Sequence, residues 1–232
     1  MDLLDYAREK EQEKNAPLAR RMRPRNLDEF VGQTHILGPG KMLRRAISAD
    51  RLSSLIFFGP TGCGKTALAE VIALTTRSSF RRINAVTAGV AQIREVVEQA
   101  REELGMYSRK TILFVDEIHR FNKSQQDAFL HHVESGLRTL IGATTENPSF
   151  EVIAPLLSRC RVLTLQALTE VDLRTIVTAA LNDEERGLGR HHLMLNQDAA
   201  EHLLRTCDGE ARTVLNSLEM AAFLTLARQG PT

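Results

Sequence analysis

The chain has 232 residues, 43% hydrophobic and 25% charged, the composition of an ordinary globular protein with room for one domain and a smaller second one. Its 30 basic and 29 acidic residues leave a formal net charge of +1, which excludes a global field drawing it onto DNA or an anionic membrane. Three cysteines (Cys63, Cys160 and Cys207) exclude a disulfide framework, and no Cys/His cluster has zinc spacing, so a reducing cytosol is expected.

Residues 1–16 alternate acids and bases as a charged tail without the apolar core of a signal peptide, and no apolar run reaches the roughly 18 residues of a membrane span. Five short runs then read as strands: Leu55 to Phe58, Phe80 to Asn84, Thr111 to Asp116, Thr139 to Gly142 and Val162 to Leu165. They are nearly continuous in apolar residues and separated by lengths suited to crossover helices, so they predict a parallel sheet covered on both faces, an α/β domain over residues 17–166. Helical patterns cover Lys65 to Thr75, Val90 to Glu103 and Ser124 to Glu134. Beyond Leu165 the strand signal ends, and Glu170 to Glu185, Asp198 to Cys207 and Ala211 to Arg228 read as amphipathic helices. Thr169 and Asn196 or Gln197 stand where N-caps belong, and Gly187, Gly189 and Gly209 where helices stop. Residues 167–232 are therefore expected to form a small all-helical domain, joined without a long linker and facing the first across a cleft.

The segment Gly59-Pro60-Thr61-Gly62-Cys63-Gly64-Lys65-Thr66, followed by Ala67, fits G-x-x-x-x-G-K-[ST] between a strand and a helix, the context that a phosphate-binding loop requires. The glycines let backbone N–H groups and the helix N-terminus face one anion, Lys65 offers a point charge to the β- and γ-phosphates, and Thr66 can ligate magnesium. A second strand, Thr111 to Asp116, delivers Asp116 and Glu117 at its C-terminal end, where parallel sheets bind ligands. Asp116 suits the magnesium shell, and Glu117 suits a base that orients and deprotonates attacking water. A third strand ends in Thr144-Thr145, and Thr144 is favoured as the γ-phosphate sensor over Thr145. His119, His131 and His132 have no metal partners in sight and read as structural or solvated.

Together these residues resemble an AAA+ ATPase. The runs TILFVDEIHRFNKSQQ (111–126), IGATTENPSF (141–150), LLSRCR (156–161) and GEARTVLN (209–216) resemble more narrowly the replication-associated recombination protein A family (RarA or MgsA), which includes the Werner helicase-interacting ATPase. The similarity extends from about Pro17 to Leu226. It implies an AAA+ P-loop NTPase with a five-stranded parallel sheet flanked by helices, then a small all-α lid, with ATP and Mg²⁺ as substrate and cofactor. By resemblance, Arg159 in Ser158-Arg159-Cys160 corresponds to an arginine finger inserted into a neighbouring subunit's site, and Arg212 to the sensor-2 arginine. A cation at a helix start opposes the dipole, and an awaited phosphate would explain Arg212 there. Arg23-Pro24 with Val31-Gly32-Gln33 resembles the segment packing around adenine, and Asn84 stands where relatives hold the catalytic glutamate with a polar side chain. The Phe57-Phe58-Gly59-Pro60-Thr61-Gly62 approach departs from the family's commoner Trp-Gly-Pro-Pro-Gly but leaves Gly64-Lys65-Thr66 intact, and His131 replaces the family's usual proline.

The resemblance implies an ATP hydrolase working on DNA (forks, single strands or ends) in replication-fork maintenance and recombination. It also implies hydrolysis at the interfaces of a homo-oligomer, replication partners such as single-strand-binding protein, a cytoplasmic, nucleoid-associated location and no membrane. The family continues past the lid into an oligomerisation region, so this chain is expected to be a truncated form. The basic clusters Arg20-Arg21-Arg23-Arg25, Arg44-Arg45 and Arg81-Arg82 are candidate phosphate contacts, and no aromatic stacking platform accompanies them, with two Tyr and no Trp. Alternative readings are a clamp-loader or branch-migration subunit, or an adaptor that binds ATP without hydrolysing it. Glu117, Thr144, Arg159 and Arg212, all intact, argue against the adaptor.

Overall fold

The computed structural model describes residues 15–107, 110–134 and 138–229, and their internal contacts divide them into two compact units: residues 24–166, and residues 15–23 with 167–229. The charged tail through Lys14 lies outside the described residues.

In the first unit, strands β1 (Leu55–Phe58), β2 (Ser79–Asn84), β3 (Thr111–Asp116), β4 (Arg138–Thr144) and β5 (Arg161–Thr164) form one sheet in the order β2-β3-β4-β1-β5, every neighbouring pair parallel. The expected five-stranded parallel sheet is thus present. The continuous apolar runs reflect burial on two faces, because successive side chains alternate between them. Leu55 and Phe57, Ile112 and Phe114, and Ile141 and Ala143 join one core cluster, whereas Ile56, Leu113, Val115 and Leu140 join the other. The first cluster is closed by helix α4 (Lys65–Thr75) through Leu68, Ala69, Ile72 and Ala73. The second is closed by α5 (Val90–Tyr107) through Ile93, Val97 and Ala100, at helical spacing, and by Phe129 of α6 (Lys123–Glu134). Truncating fully buried Phe114 to Ala would cost about 3–5 kcal/mol. Edge strands β2 and β5 are more exposed, and their arginines suit an edge that must not pair further. Two short helices of this unit, α2 (Thr34–Leu37) and α3 (Met42–Ser48), precede β1, as does α1 (Leu18–Arg21) of the other unit, and α7 (Pro148–Glu151) and α8 (Ala154–Leu157) lie between β4 and β5.

The second unit contains α9 (Glu170–Asn182), α10 (Gln197–Thr206) and α11 (Ala211–Gln229) around Leu173, Val177, Leu204, Val214, Leu215 and Leu218. Thr169 caps α9 in a reciprocal capping box with Asp172. Helix α9 stops at Asn182, short of the expected Glu185. Asp183 leaves the helical region, and its carboxylate accepts from the backbone N–H groups of Glu185 and Arg186, drawing the chain into a turn. Gly187 is forced there, since a Cβ would sit 2.2 Å from the Ala180 carbonyl oxygen.

Segment 17–23, expected in the α/β domain, belongs instead to the helical unit. Leu18 is fully buried in its core, its N–H donates to Glu219 at 2.9 Å, and Arg21 bonds Glu219, the Ala16 carbonyl and the Arg186 carbonyl. An apolar anchor with a partly buried ion pair outweighs the segment's position in sequence.

Candidate nucleotide site

Parallel pairing brings the ends of three strands to one edge of the sheet. Phe58 pairs with Thr144, and Val115 with Gly142, so β4 separates the β1 loop from the carboxylates that follow β3. The predicted phosphate loop, Gly59 through Thr66 with Ala67, therefore shares an edge with Asp116, Glu117, Thr144 and Thr145.

The loop curls because Gly62 and Gly64 adopt φ of 68° and 100°, which side-chain-bearing residues rarely tolerate. A Cβ on Gly64 would also press to 3.0 Å from the Phe30 ring. The first turn of α4 presents backbone N–H groups without intrahelical acceptors, a concave anion site. Lys65 is 7% exposed, and its Nζ donates to the Gly59 and Pro60 carbonyls at 2.7 Å each, so its charge lies within the loop's concavity. Thr66, the next residue of the helix, is half-buried. A hydroxyl at Thr66 and a carboxylate at Asp116 are hard oxygen donors suited to Mg²⁺, so the residues fit the expected cofactor. Burial of Cys63 pushes its thiol up, against the lowering influence of Lys65.

Asp116 is already engaged: Arg82 of β2, paired alongside, forms an ion pair with it. Asn84, expected to restrain the glutamate, accepts from the N–H of Val86 at 2.9 Å, closing its own turn. Glu117 sits at φ 55°, ψ 49°, an uncommon conformation for a residue with a side chain, and starts the tight turn Ile118–Arg120. Strain of this kind is concentrated at functional positions.

Two expectations change here. Thr144 is completely buried, and its Oγ1 accepts from Glu146 N–H at 3.0 Å, donates to the Glu146 carbonyl at 3.1 Å and meets His119 Nδ1 at 3.0 Å. Its hydroxyl has no bonding capacity left for a phosphate. Thr145, the next residue, is half-buried. His119, read from sequence as structural or solvated, lies instead at the site: Nδ1 is also 3.4 Å from a carboxylate oxygen of Glu117. The signal that could have found it is its place two residues after Glu117, on the turn that Glu117 begins.

Gln33 was legible only as part of an adenine-segment match, yet it is the buried anchor of that segment. Its side chain bonds both the N–H and C=O of Gln166, at 2.9 and 2.7 Å, and reaches the Cys63 carbonyl at 3.4 Å, while Val31 and Gly32 beside it are half-buried. Arg159 is exposed, and its guanidinium Nη1 donates to the Pro155 carbonyl at 2.7 Å and to Ser158 Oγ at 3.1 Å. Arg212 is exposed in the first turn of α11. Of the basic clusters, Arg21, Arg44 and Arg82 are each paired with a carboxylate. The side chains of His131 and His132 lie outside those described, and no group of three or more metal-ligating His, Cys, Asp or Glu occurs among the described residues. No described helix is long and apolar enough to cross a membrane.

A phosphate loop after β1, paired carboxylates after β3 and a strand between them define an ATPase of the P-loop class. The family described as "ATPase family associated with various cellular activities (AAA)" matches residues 55–167. The chain is 52% identical over 206 residues to the replication-associated recombination protein A of Escherichia coli K12, covering 89% of this chain and 46% of that protein. Its counterpart from Coxiella burnetii is 54% identical over 214 residues, covering 92% and 48%. ATPase WRNIP1 of Dictyostelium discoideum is 43% identical over 206 residues, covering 89% and 23%. Among solved structures, the RuvB Holliday junction branch migration motor of Thermotoga maritima superposes with a TM-score of 0.71 at 27% identity, over 90% of this chain and 68% of that one. The chain carries an AAA ATPase domain, and along most of its length it is similar to the replication-associated recombination protein A proteins. It spans about half the length of those bacterial relatives.

Proposed function

We propose that the chain binds and hydrolyses ATP with Mg²⁺ at the β1–β3–β4 edge, as the motor of a DNA-acting oligomer in replication-fork maintenance and recombination. The observation that carries the chemistry is the shared sheet edge holding Lys65, Thr66, Asp116 and Glu117. The DNA-directed role rests on the names of the relatives.

Loop N–H groups from Gly62 to Ala67 and the Lys65 ammonium bind the β- and γ-phosphates, while Val31, Gly32 and Gln33 line the base. Thr66 and Asp116 would hold Mg²⁺, which would supply charge neutralisation at the phosphate oxygens. Glu117 orients one water and accepts its proton as the water oxygen bonds the γ-phosphorus; the bond to the β–γ bridging oxygen breaks, giving ADP and phosphate. Thr145, rather than the expected Thr144, offers the hydroxyl to the γ-phosphate. Arg159 acts on a neighbouring subunit's nucleotide, and Arg212 carries the sensor role that the resemblance gives it.

The testing experiment is steady-state ATPase with and without forked, single-stranded and blunt duplex DNA. Stimulation by one DNA form, together with loss of turnover but not of ATP binding in Glu117→Gln, is the expected result. DNA-independent turnover that survives Glu117→Gln would overturn both parts. The fold likeness to RuvB favours branch migration as the second reading, for which four-way junctions would be the stimulating form.

A further inference from the structure

His119 is 9% exposed and bridges two strand ends, Nδ1 lying 3.0 Å from Thr144 Oγ1 after β4 and 3.4 Å from Glu117 Oε2 after β3. Because Thr144 spends its hydroxyl hydrogen on the Glu146 carbonyl and one lone pair on Glu146 N–H, its contact with His119 is completed when the imidazole is the donor. That fixes the proton on Nδ1 and aims it at Thr144, and the ring so anchored stands against the Glu117 carboxylate, 3.4 Å from Oε2, without a hydrogen bond to it. The turn beneath is rigid: Arg120 N–H bonds the Glu117 carbonyl at 2.8 Å, Phe121 N–H bonds that of Ile118 at 3.1 Å, and Ile118 is fully buried.

We propose that His119 is a positioning residue for hydrolysis: anchored on Thr144 through Nδ1–H, its imidazole ring stands against the Glu117 carboxylate and holds it in the orientation that takes a proton from water. Thr144 thereby acts on the base through the imidazole. His119 keeps its own proton throughout. The inference rests on Glu117 being the base.

The test measures kcat, KM and ATP affinity for His119→Leu, His119→Asn and His119→Gln in the same oligomeric preparation as the unaltered protein. An asparagine amide can place an N–H near the Nδ1 position, whereas glutamine reaches towards Nε2. The expected result is a fall in kcat of at least about tenfold for Leu and Gln, recovery to within about threefold for Asn, and KM and ATP affinity within about twofold for all three. Thr144→Val added to His119→Leu should lower kcat by less than about threefold further, because both act through one contact. A Leu variant within about twofold of the original kcat, or Asn and Gln equally impaired, overturns the proposal. Should His119→Leu fail to fold, the Asn and Gln pair decides alone. Glu117→Gln is run alongside: if it keeps turnover, the base assignment fails, and if it is inactive while His119→Leu is not, only the positioning role fails.

Discussion

Asp116 faces competing demands, because the carboxylate suited to a magnesium shell is paired with Arg82 on the neighbouring strand. The guanidinium is 44% exposed, so the pair is solvent-screened and worth at most about 1 kcal/mol. Arg82→Gln should therefore lower the magnesium concentration needed for half-maximal ATPase by no more than about fivefold, and a larger shift would mean that Arg82 does more than compete for the carboxylate. Cys63 shows the same dependence on surroundings. Its burial pushes the thiol up, so alkylation at neutral pH should be slow and should accelerate only at alkaline pH. Rapid labelling at pH 7, read by mass spectrometry, would contradict that. Residue types and spacing carried the loop and the carboxylates into view because their chemistry is local in sequence. The surroundings of His119 and Thr144 are not legible in sequence for the opposite reason: a hydroxyl's remaining bonding capacity depends on what meets it from another part of the chain, 25 residues away in the case of His119.

At the scale of elements, the NKSQQ run is explained by how a helix is started and what it holds. Asn122 and Gln125 cap the beginning of α6 reciprocally, each side chain accepting from the other's backbone N–H at 2.9 Å. Gln126, 2% exposed, bonds the Phe121 and Glu151 carbonyls and the Ile153 N–H, fixing α6 to the segment between α7 and α8 that leads to Arg159. Gln126→Leu leaves those buried groups unpaired and should destabilise the protein by about 2–4 kcal/mol, measured by denaturant titration. None of this could be read from periodicity, which locates the buried face of a helix but not the backbone groups that a polar residue will satisfy. At the end of α9, burial works against ionisation of Asp183, yet hydrogen bonds from Arg186 and Glu185 and the Arg186 charge outweigh it, holding the carboxyl below its usual range. Its contribution to stability is therefore present above the unfolded value, about 3.9, and lost as pH falls through the lower folded value. Asp183→Asn should lower the melting temperature at pH 7 and narrow the gap to the unaltered protein on acidification. A gap that stays constant between pH 7 and pH 3 would contradict this assignment.

At the scale of the whole molecule, the two units differ in how their sequences announce them. The α/β unit was legible because strands buried on both faces stand out as unbroken apolar runs, whereas the capture of residues 17–23 by the helical unit turns on one buried leucine and one ion pair, Arg21 to Glu219. The exposure of Arg159, held through Nη1 by its own turn and outside the β1–β3–β4 edge, makes sense if its phosphate belongs to another copy. Arginine fingers contribute about 10³ to 10⁵ in rate in related NTPases, so an isolated copy should bind ATP and turn it over poorly. Arg159→Ala should retain ATP binding and lose hydrolysis. Lys65→Ala should lose binding, because the loop's buried ammonium is gone. Mixing the two variants pairs an intact Lys65 loop with an intact Arg159 at some interfaces, and ATPase should return there although neither variant is active alone. Absence of rescue in oligomers verified as mixed by mass spectrometry, or full activity from a verified monomer, would place the complete catalytic site within one chain and leave Arg159 as a structural residue.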